Sequence, residues 1–566
     1  MPRSVLRRPD PFLLGPLLLL STGLACDRGE PAAVDSPNTP PESLVAAGGE
    51  TLAAAAVEKE EVDPILGAPL VVNGEKIPLD AIRRRVVLVS NGRTLYELAK
   101  IQVYIDQEIQ RQIEQEGKTA ADFVIEQTEI DAAVSRARRT NELQGGGDGA
   151  GFDPTTDPGW LDQLRQTQLF KKVFLPENPH QYPMPTLDAF RSTEQGEQIL
   201  QVLRDDWDKK TAAAGDAPPV DEADPGLRIF EMLLNRQVLD YLHKSAAVQE
   251  VEDGLPGHLL GIVNGVEITV QEIWDQVKDS IAPTDVWTAK QWLVNTTILR
   301  QALEESGFLM SPEEAAAIFE EQAAPYRESL FSIEKMALTV KKYPTLGMYK
   351  TYQRLYESFQ RQIAAEITDE ALDEQGRRRT AAIVSFATVD VDIILLSAYD
   401  FQKKQWIEDG WEKAKARATE VSEKLVAGAD WSTLLDEYSG FYDPPLPAGQ
   451  ETNPDYQKLM FHKGRLKGWI RNQLAGKLDE PDFRLFLTGT SITDILFFEQ
   501  KIDSIENPIR GPYGYYIPKL LHRSAPTVSL SAKNSKDRTY LEQDYVAERL
   551  RKWTQELIAK AEITGL

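Results

Sequence analysis

One segment of this chain occurs twice, and each copy opens on Asn-Gly between two short apolar runs. Asn-Gly in this setting is the strongest short-range signal for a β-hairpin, because both residues tolerate the positive φ of a tight turn. The matched positions, given in pairs, are Asn73-Gly74 and Asn264-Gly265, Ala99-Lys100 and Ala289-Lys290, and Gly117 and Gly307. The repeat predicts two related modules, each a hairpin followed by a helix and by a long helix that stops at a glycine.

A different pattern covers the region from about residue 390 to residue 523. The run Val391–Leu396 is apolar except for one aspartate and predicts a buried strand, and Tyr515–Leu521 predicts another. Between them the pattern gives, in order, a helix over 410–427, the loop Gly428-Ala429-Asp430-Trp431, a second helix ending at Ser439, and the turns at Asn507-Pro508 and Gly511-Pro512. This order resembles the parvulin family of peptidyl-prolyl isomerases.

The parvulin resemblance implies a groove that binds a proline-containing peptide. Parvulins place one histidine on the first strand and one on the last, and Asp392 and Tyr516 occupy those positions here. The resemblance makes five residues candidates for peptide binding, namely Asp392, Phe497, Phe498, Tyr513 and Tyr516, although each could equally pack in a core. Neighbouring residues of a strand point to opposite faces, so Tyr515 and Tyr516 cannot both face one groove. No catalytic residue is assigned, and isomerase activity is left open.

The two repeated modules resemble the N-terminal module of the SurA- and PpiD-type periplasmic folding factors. In that family "Val-Asn-Gly" opens a mainly helical chaperone domain, and a C-terminal segment returns to this module and pairs as a strand. Three tryptophans of the second copy, Trp274, Trp287 and Trp292, are further candidates for client binding, or for the core. The resemblance predicts an α+β fold that is predominantly α-helical, with two such modules, a parvulin-like domain and a returning C-terminal helix.

The expected divisions of the chain follow from these patterns. They are a signal peptide (1–25), a disordered tether (26–64), the first helical module (65–175), a helical insertion or linker (176–257), the second module (258–375), a parvulin-like domain (376–526) with an insertion at 440–489, and the C-terminal helix (527–566). The segment 176–257 resembles no family.

The N-terminus has the form of a bacterial export signal. Three arginines precede a short apolar run, Phe12 to Leu20. Small residues at 21–25 then lead to Cys26, the only cysteine of the chain. The position of Cys26 resembles a lipobox, which implies lipid attachment, whereas Gly23 and Ala25 also suit ordinary signal-peptidase cleavage. Asp27 would then be the second residue of the mature chain, which slightly favours the inner membrane in some Gram-negative bacteria. We expect an exported protein on the periplasmic face of a membrane.

Composition excludes several other functions. A formal net charge of −25 argues against binding to nucleic acid, which needs a basic surface. No metal-binding spacing, phosphate loop or nucleophile elbow is present in the sequence, so we expect no metal and no cofactor.

Three functions remain open. The first is an exported folding factor that binds unfolded or extended envelope or secreted polypeptides through a parvulin-like domain without isomerase activity. The alternatives are an active peptidyl-prolyl cis-trans isomerase and a non-catalytic subunit of one envelope protein complex.

Overall fold

The structure is a computed structural model that describes residues 63–143, 158–175, 185–214, 225–326, 332–383, 387–403, 405–407, 409–443, 460–479, 482–525 and 530–566. The signal, Cys26, Asp27 and nearly all of the tether lie outside the described residues. Among those residues no helix combines the length and the apolar character that a membrane span requires.

Helices form most of the described chain, and the strands form small sheets. The strands are β1 (Leu70–Val72), β2 (Glu75–Ile77), β3 (Val248–Glu250), β4 (Leu259–Val263), β5 (Val266–Thr269), β6 (Thr388–Ser397), β7 (Tyr399–Asp400), β8 (Gln405–Trp406), β9 (Arg465–Ile470), β10 (Ile509–Gly511), β11 (Gly514–Arg523) and β12 (Ile563–Thr564). All strand pairs are antiparallel. The expected class, α+β and predominantly helical, is confirmed.

The helices of two turns or more, in chain order, are α1 (Leu79–Val89), α2 (Gly92–Glu116), α3 (Gln127–Leu143), α4 (Pro158–Phe174), α5 (Pro185–Arg191), α6 (Glu194–Ala214), α7 (Pro225–Ser245), α8 (Val270–Val277), α9 (Pro283–Glu305), α10 (Pro312–Ala323), α11 (Leu346–Gln362), α12 (Asp369–Ile383), α13 (Gly410–Val426), α14 (Trp431–Tyr438), α15 (Arg471–Leu478), α16 (Asp482–Thr488) and α17 (Ser535–Lys560). Two shorter segments, Met336–Val340 and Ile495–Glu499, have π-helical geometry.

The described chain forms two compact units. The repeat unit contains residues 63–362 and 552–566, and the sheet unit contains residues 363–551.

In the repeat unit both Asn-Gly pairs form the expected hairpin turns. Asn73 and Gly74 have φ of 48° and 80°, and Asn264 and Gly265 have φ of 49° and 85°. These positive values at both central residues are those of a type I′ turn. The hairpins pair β1 with β2 and β4 with β5.

The two long helices also end as the repeat predicts. Gly117 caps α2 with φ of 71°, and Gly307 follows α9 with φ of 74°. Only glycine adopts this left-handed conformation without steric cost. Asp80 is not the N-cap of α1. The helix already begins at Leu79, so Asp80 lies in its first turn, where it pairs with Arg83 at 3.6 Å instead.

In the sheet unit a four-stranded sheet has the order β10-β11-β6-β9. The strand expected at 391–396 extends over ten residues as β6, and β11 beside it also has ten residues. The edge strand β9 lies within 440–489, the stretch interpreted from sequence as an insertion. Its sequence, Arg-Leu-Lys-Gly-Trp-Ile, buries only two side chains because one face of an edge strand is free to carry polar residues.

Side chains of β6 alternate between two apolar layers on opposite faces of this sheet. Ile394 and Leu396 pack with α13 and α14 on the first face. Val391, Ile393 and Leu395 pack with residues of 460–520 on the second face. Both layers are close to fully buried, which fixes the register, because a slip by one residue would reverse every side chain.

Candidate functional site

Asp392 and Tyr516, which the sequence resemblance aligns with the parvulin histidines, lie on opposite faces of the sheet. Asp392 is half-buried on the face covered by α13 and α14, where its carboxylate accepts a hydrogen bond from Trp431 Nε1 at 3.3 Å. Tyr516 is fully buried on the second face, in the layer of Ile393 and Leu395. The structure therefore does not bring Asp392 and Tyr516 together on one surface.

Aromatic side chains of the chain itself fill the second face around Tyr516. Phe441 and Phe461 stack at a centroid distance of 4.6 Å, and Phe441 lies 6.1 Å from the Tyr516 ring. Phe497 is buried in the same layer, and Phe498 packs beside it with the Arg379 guanidinium 4.3 Å from its ring. In this arrangement these aromatic residues stabilise the core of the sheet unit, and their rings occupy the space next to the strands.

The second face also contains a backbone held in a strained conformation. His462 and Lys463 have φ of 44° and 56°, values that cost free energy for residues other than glycine. The carboxylate of Asp443 accepts hydrogen bonds from the backbone N–H groups of Phe461 and Lys463, and this holds the turn in place. Burial lowers the pKa of the nearby Lys477 ammonium although Asp443 partly offsets this, and the ammonium lies 4.2 Å from the Phe461 ring.

A different group of aromatic side chains lies at the end of the sheet, and we call it the aromatic cluster. Its members are Tyr399, Phe401, Trp406, Trp411 and Tyr513. Trp406 is 54% exposed and Tyr513 is 37% exposed, whereas Tyr516 three residues further on is fully buried. The aromatic cluster thus brings two large aromatic rings to the surface side by side.

The rings of the aromatic cluster support one another. Tyr399 lies 5.1 Å from Trp406 and 5.5 Å from Tyr513, and Phe401 lies 5.0 Å from Tyr513. Trp406 stacks on Trp411 at 5.9 Å with an interplanar angle of 26°. These separations are in the range where aromatic pairs attract each other beyond simple burial. Such mutual contacts limit the movement of the exposed rings, so less conformational entropy is lost when a ligand binds.

Strand geometry positions the aromatic cluster. The backbone N–H of Ala398, just after β6, donates to the Tyr513 carbonyl at 2.7 Å, which ties the two segments together. A Cβ on Gly514 would lie 2.1 Å from the Leu396 carbonyl oxygen, so this close approach requires glycine. The Asp400 carboxylate accepts from the N–H groups of Gln402 and Lys403 and shapes the turn between β7 and β8. Arg510 covers the Trp411 ring at 4.3 Å and adds a positive charge to the rim.

Chemically, this arrangement offers a surface that can bind apolar and aromatic groups. Exposed tryptophan and tyrosine are the residues that most often provide binding energy at protein surfaces, because they bury a large area with few rotatable bonds. Sequence reasoning identified only Tyr513 of this group. The density of aromatic residues between 399 and 411 is the one signal that could have indicated the others.

The tryptophan candidates of the repeat unit lie mostly in its core. Trp292 is 1% exposed and Trp274 is 6% exposed, and Trp287 is half-buried. The Arg83 guanidinium covers the Trp274 ring at 5.2 Å. In the described parts of the chain, the structure places no three His, Cys, Asp or Glu side chains where they could hold a metal ion together.

Comparisons with known proteins give limited information. No family model matches the chain, and no curated protein matches it. Solved structures to which it is similar include PrsA peptidyl-prolyl isomerases and foldases. PrsA from Bacillus anthracis is 15% identical, with 47% of this chain and 94% of that chain covered and a TM-score of 0.19. Foldase protein PrsA from Streptococcus pneumoniae is 19% identical, with 52% and 89% covered and a TM-score of 0.16. At these scores the likeness carries no argument for the fold or the function, which depend on the geometry above.

Proposed function

We propose that this protein is an exported folding factor that binds unfolded or extended polypeptides. The observation that carries the proposal is the aromatic cluster, with Trp406 and Tyr513 exposed at the end of a rigid sheet. Contiguous exposed aromatic surface is uncommon on soluble proteins and marks binding sites. An unfolded chain offers apolar side chains in no fixed order, so a surface that recognises area rather than a sequence suits it.

The proposal includes loss of isomerase activity in the parvulin-like domain. Two features support it: Asp392 and Tyr516 lie on opposite faces, and the side chain of Tyr516 is fully buried among Phe441 and other apolar residues. A substrate proline beside Tyr516 would have to displace these side chains from the core. We therefore expect binding of polypeptide without faster cis-trans isomerisation of X-Pro bonds.

The test uses the mature protein and a double variant, Trp406→Ala/Tyr513→Ala. We expect the double variant to bind an unfolded client at least about tenfold more weakly, since truncation of an aromatic hot spot costs about 2 kcal/mol or more. Tyr326→Ala/Tyr540→Ala is the matched control, because these tyrosines are 51% and 39% exposed outside the aromatic cluster. Suppression of client aggregation and fluorescence anisotropy of a labelled peptide measure the effect. Equal losses in both double variants would contradict the proposed surface.

The refolding of a proline-limited substrate tests the second part. The uncatalysed isomerisation takes tens of seconds, so acceleration at catalytic ratios is easily measured. Acceleration would show an active isomerase, and Asp392→Ala and Tyr516→Phe would then be examined for loss of it. A pull-down from membranes distinguishes the remaining alternative, because one stoichiometric partner would indicate a subunit of an envelope complex and many clients would indicate a folding factor.

The proposed location is the periplasmic face of a bacterial membrane, with lipid attachment at Cys26. The export signal and the single cysteine directly after it support this location. Two or more acyl chains are needed for stable anchoring, as one chain gives only marginal binding. The test is Cys26→Ala followed by membrane fractionation. A variant that still sediments with membranes as the parent does would contradict a lipid anchor.

A further inference from the structure

The repeat unit contains two small sheets, and each consists of one hairpin with a third strand added to it. The order is β12-β1-β2 in the first sheet and β3-β4-β5 in the second. β3 follows α7 in the middle of the chain, whereas β12 follows α17 at its C-terminus. We name residues 225–250 the internal arm and residues 552–566 the terminal arm.

The two arms join their hairpins in the same register. Ile563 is opposite Val72, and Val248 is opposite Val263. Val72 and Val263 each directly precede the asparagine of the hairpin turn. In both sheets, therefore, the first residue of the added strand pairs with the residue that directly precedes the turn asparagine of the hairpin.

The turn asparagines hold the two arms with the same pair of hydrogen bonds. The backbone N–H of Asn73 donates to the Glu562 carbonyl at 2.8 Å, and the Glu562 N–H donates to Asn73 Oδ1 at 3.0 Å. In the second sheet Asn264 makes both bonds with Ala247, each at 2.8 Å.

Side chains on the arms also correspond when Ile563 is aligned with Val248. The aligned pairs in the core of the repeat unit are Leu557 and Leu242, Ala561 and Ala246, and Ile563 and Val248. In both arms two residues separate the end of the helix from the strand, since α17 ends at Lys560 and α7 ends at Ser245. The arms are therefore two copies of one helix–strand element.

The matched lysines of the repeat provide an independent correspondence. Lys290 on α9 is 5% exposed, and its ammonium donates to the carbonyl of Gly565 and, at 3.3 Å, to that of Ala68. Lys100 on α2 is 7% exposed, and its ammonium lies 3.5 Å from the carboxylate of Glu250. Gly565 and Glu250 occupy equivalent positions in the arms, so each buried lysine contacts the end of one arm.

Side-chain hydrogen bonds also link each hairpin to the long helix of the other copy. Asn73 of the first hairpin donates through Nδ2 to Gln301 on α9, the long helix of the second copy. Asn264 of the second hairpin donates to Gln107 on α2, the long helix of the first copy. The internal arm, which follows the first copy in the chain, closes the second hairpin, and the terminal arm closes the first.

We propose that the repeat unit is a covalently joined pair of copies that exchange their arms, so that each hairpin, beside the buried lysine of the other copy, is the site for the arm of that other copy. The partner of this site is a helix–strand segment of the same chain. A hairpin edge without such a strand presents unpaired N–H and C=O groups and accepts other extended chains. The proposal does not depend on the proposed function.

The first experiment deletes residues 562–566 and measures hydrogen exchange in both hairpins. We expect protection of residues 70–77 to fall about tenfold or more, whereas residues 259–269 keep theirs, because local opening depends on the contacts of each segment. A synthetic peptide of residues 552–566 should compete with the shortened α17 end and restore protection of the first hairpin. Unchanged protection at 70–77, equal loss in both hairpins, or no restoration by the peptide would overturn the proposal.

A point substitution in the full-length chain covers the case in which the deletion disturbs folding. Gly565 has φ of +80°, and an added Cβ would lie 2.0 Å from the Pro69 carbonyl oxygen. Gly565→Ala should therefore displace the terminal arm and expose residues 70–77 to exchange. Gly254→Ala is the matched control, since Gly254 has the same φ and no atom within 4 Å of an added Cβ. Equal exchange at 70–77 in the two variants would also overturn the proposal.

Discussion

Asp494 offers the sharpest test of what stabilises the sheet unit. Its carboxylate is 4% exposed and faces three arginines: Arg471 at 2.7 Å, Arg551 at 2.9 Å and Arg379 at 3.3 Å. Asp494 lies between α16 and β10. The three arginines come from α15, α17 and α12, so this one side chain joins three helices. We expect Asp494→Asn to destabilise the sheet unit strongly.

The magnitude follows from the pKa of Asp494. Burial raises this pKa, but the attraction of Arg471, Arg379 and Arg551 outweighs burial and lowers it from 3.8 to about 2. At about 1.4 kcal/mol per pKa unit, the shift corresponds to roughly 2–3 kcal/mol of stability at neutral pH. The substitution also takes this carboxylate away from the half-buried Arg471 and Arg551, whereas the buried Arg379 keeps Asp544 at 2.8 Å. Breaking a buried ion pair from one side costs about 3–5 kcal/mol. We therefore expect a loss of about 3 kcal/mol.

The assay is urea unfolding of the parent and of Asp494→Asn at a series of pH values. The pKa of the folded state is depressed, so this stabilisation is fully present above about pH 4 and is lost as the pH falls toward 2. The difference between the two proteins should shrink over that window. Asp436→Asn is the control, because Asp436 pairs with Arg465 at 2.8 Å but is 55% exposed, and exposed pairs contribute little. A difference below about 1 kcal/mol at pH 7, or one that does not depend on pH, would refute the reasoning.

Two further predictions concern local conformation. Gly464→Ala should destabilise the sheet unit by about 2 kcal/mol more than Gly468→Ala in chemical unfolding. The reason is that a Cβ at 464 would lie 2.1 Å from the Ile393 carbonyl oxygen, whereas a Cβ at 468 meets no atom within 4 Å. Equal losses would mean that the positive φ alone matters. Ser311→Ala should lower the free energy of unfolding by about 1 kcal/mol, since Ser311 Oγ accepts a hydrogen bond from the Glu314 N–H at the start of α10. Ser311→Asp should keep most of the parent's stability in thermal or chemical unfolding. If the aspartate variant is as unstable as the alanine variant, the cap does not contribute as argued.

The parts of the fold that could be predicted are those specified by nearby residues. The Asn-Gly turns require positive φ at two adjacent positions, and few other dipeptides allow it. The middle of β6 and of β11 is buried on both faces, so Ile393–Leu396 and Tyr515–Pro518 are continuous apolar runs. The end of α2 needs a left-handed residue, which Gly117 provides. In each case the signal and the structure lie within a few residues of each other.

The parts that could not be predicted depend on distant residues. β3 has the sequence Val-Gln-Glu, which is too short and too polar to indicate a strand by alternation. β9 contains Gly468 and two basic residues, a composition typical of a loop. It forms a strand because it pairs with the edge of β6, which the local sequence does not indicate. The correspondence of the two arms rests on three apolar positions and backbone hydrogen bonds, so sequence comparison of the arms alone does not reveal it.

The candidate site was partly predicted for the same reason. Alternation along β11 correctly places Tyr515 and Tyr516 on opposite faces, because a strand has a period of two residues. Alternation cannot show that Tyr399 and Tyr513, more than 100 residues apart, lie 5.5 Å from each other. That distance results from the pairing of β6 with β11 and from the close approach at Gly514.

The position of the aromatic cluster also explains how binding can be separated from stability in this unit. Rings on the second face, such as those of Phe497 and Tyr516, are buried, and their truncation would leave cavities that cost several kcal/mol. Trp406 already has more than half of its surface in water, so its replacement by alanine removes less buried area than truncation of a fully buried ring does. Trp406→Ala should therefore weaken client binding with a smaller loss of stability than Phe497→Ala. A large loss of stability in Trp406→Ala would mean that the aromatic cluster is part of the core, and the case for it as a binding surface would fail.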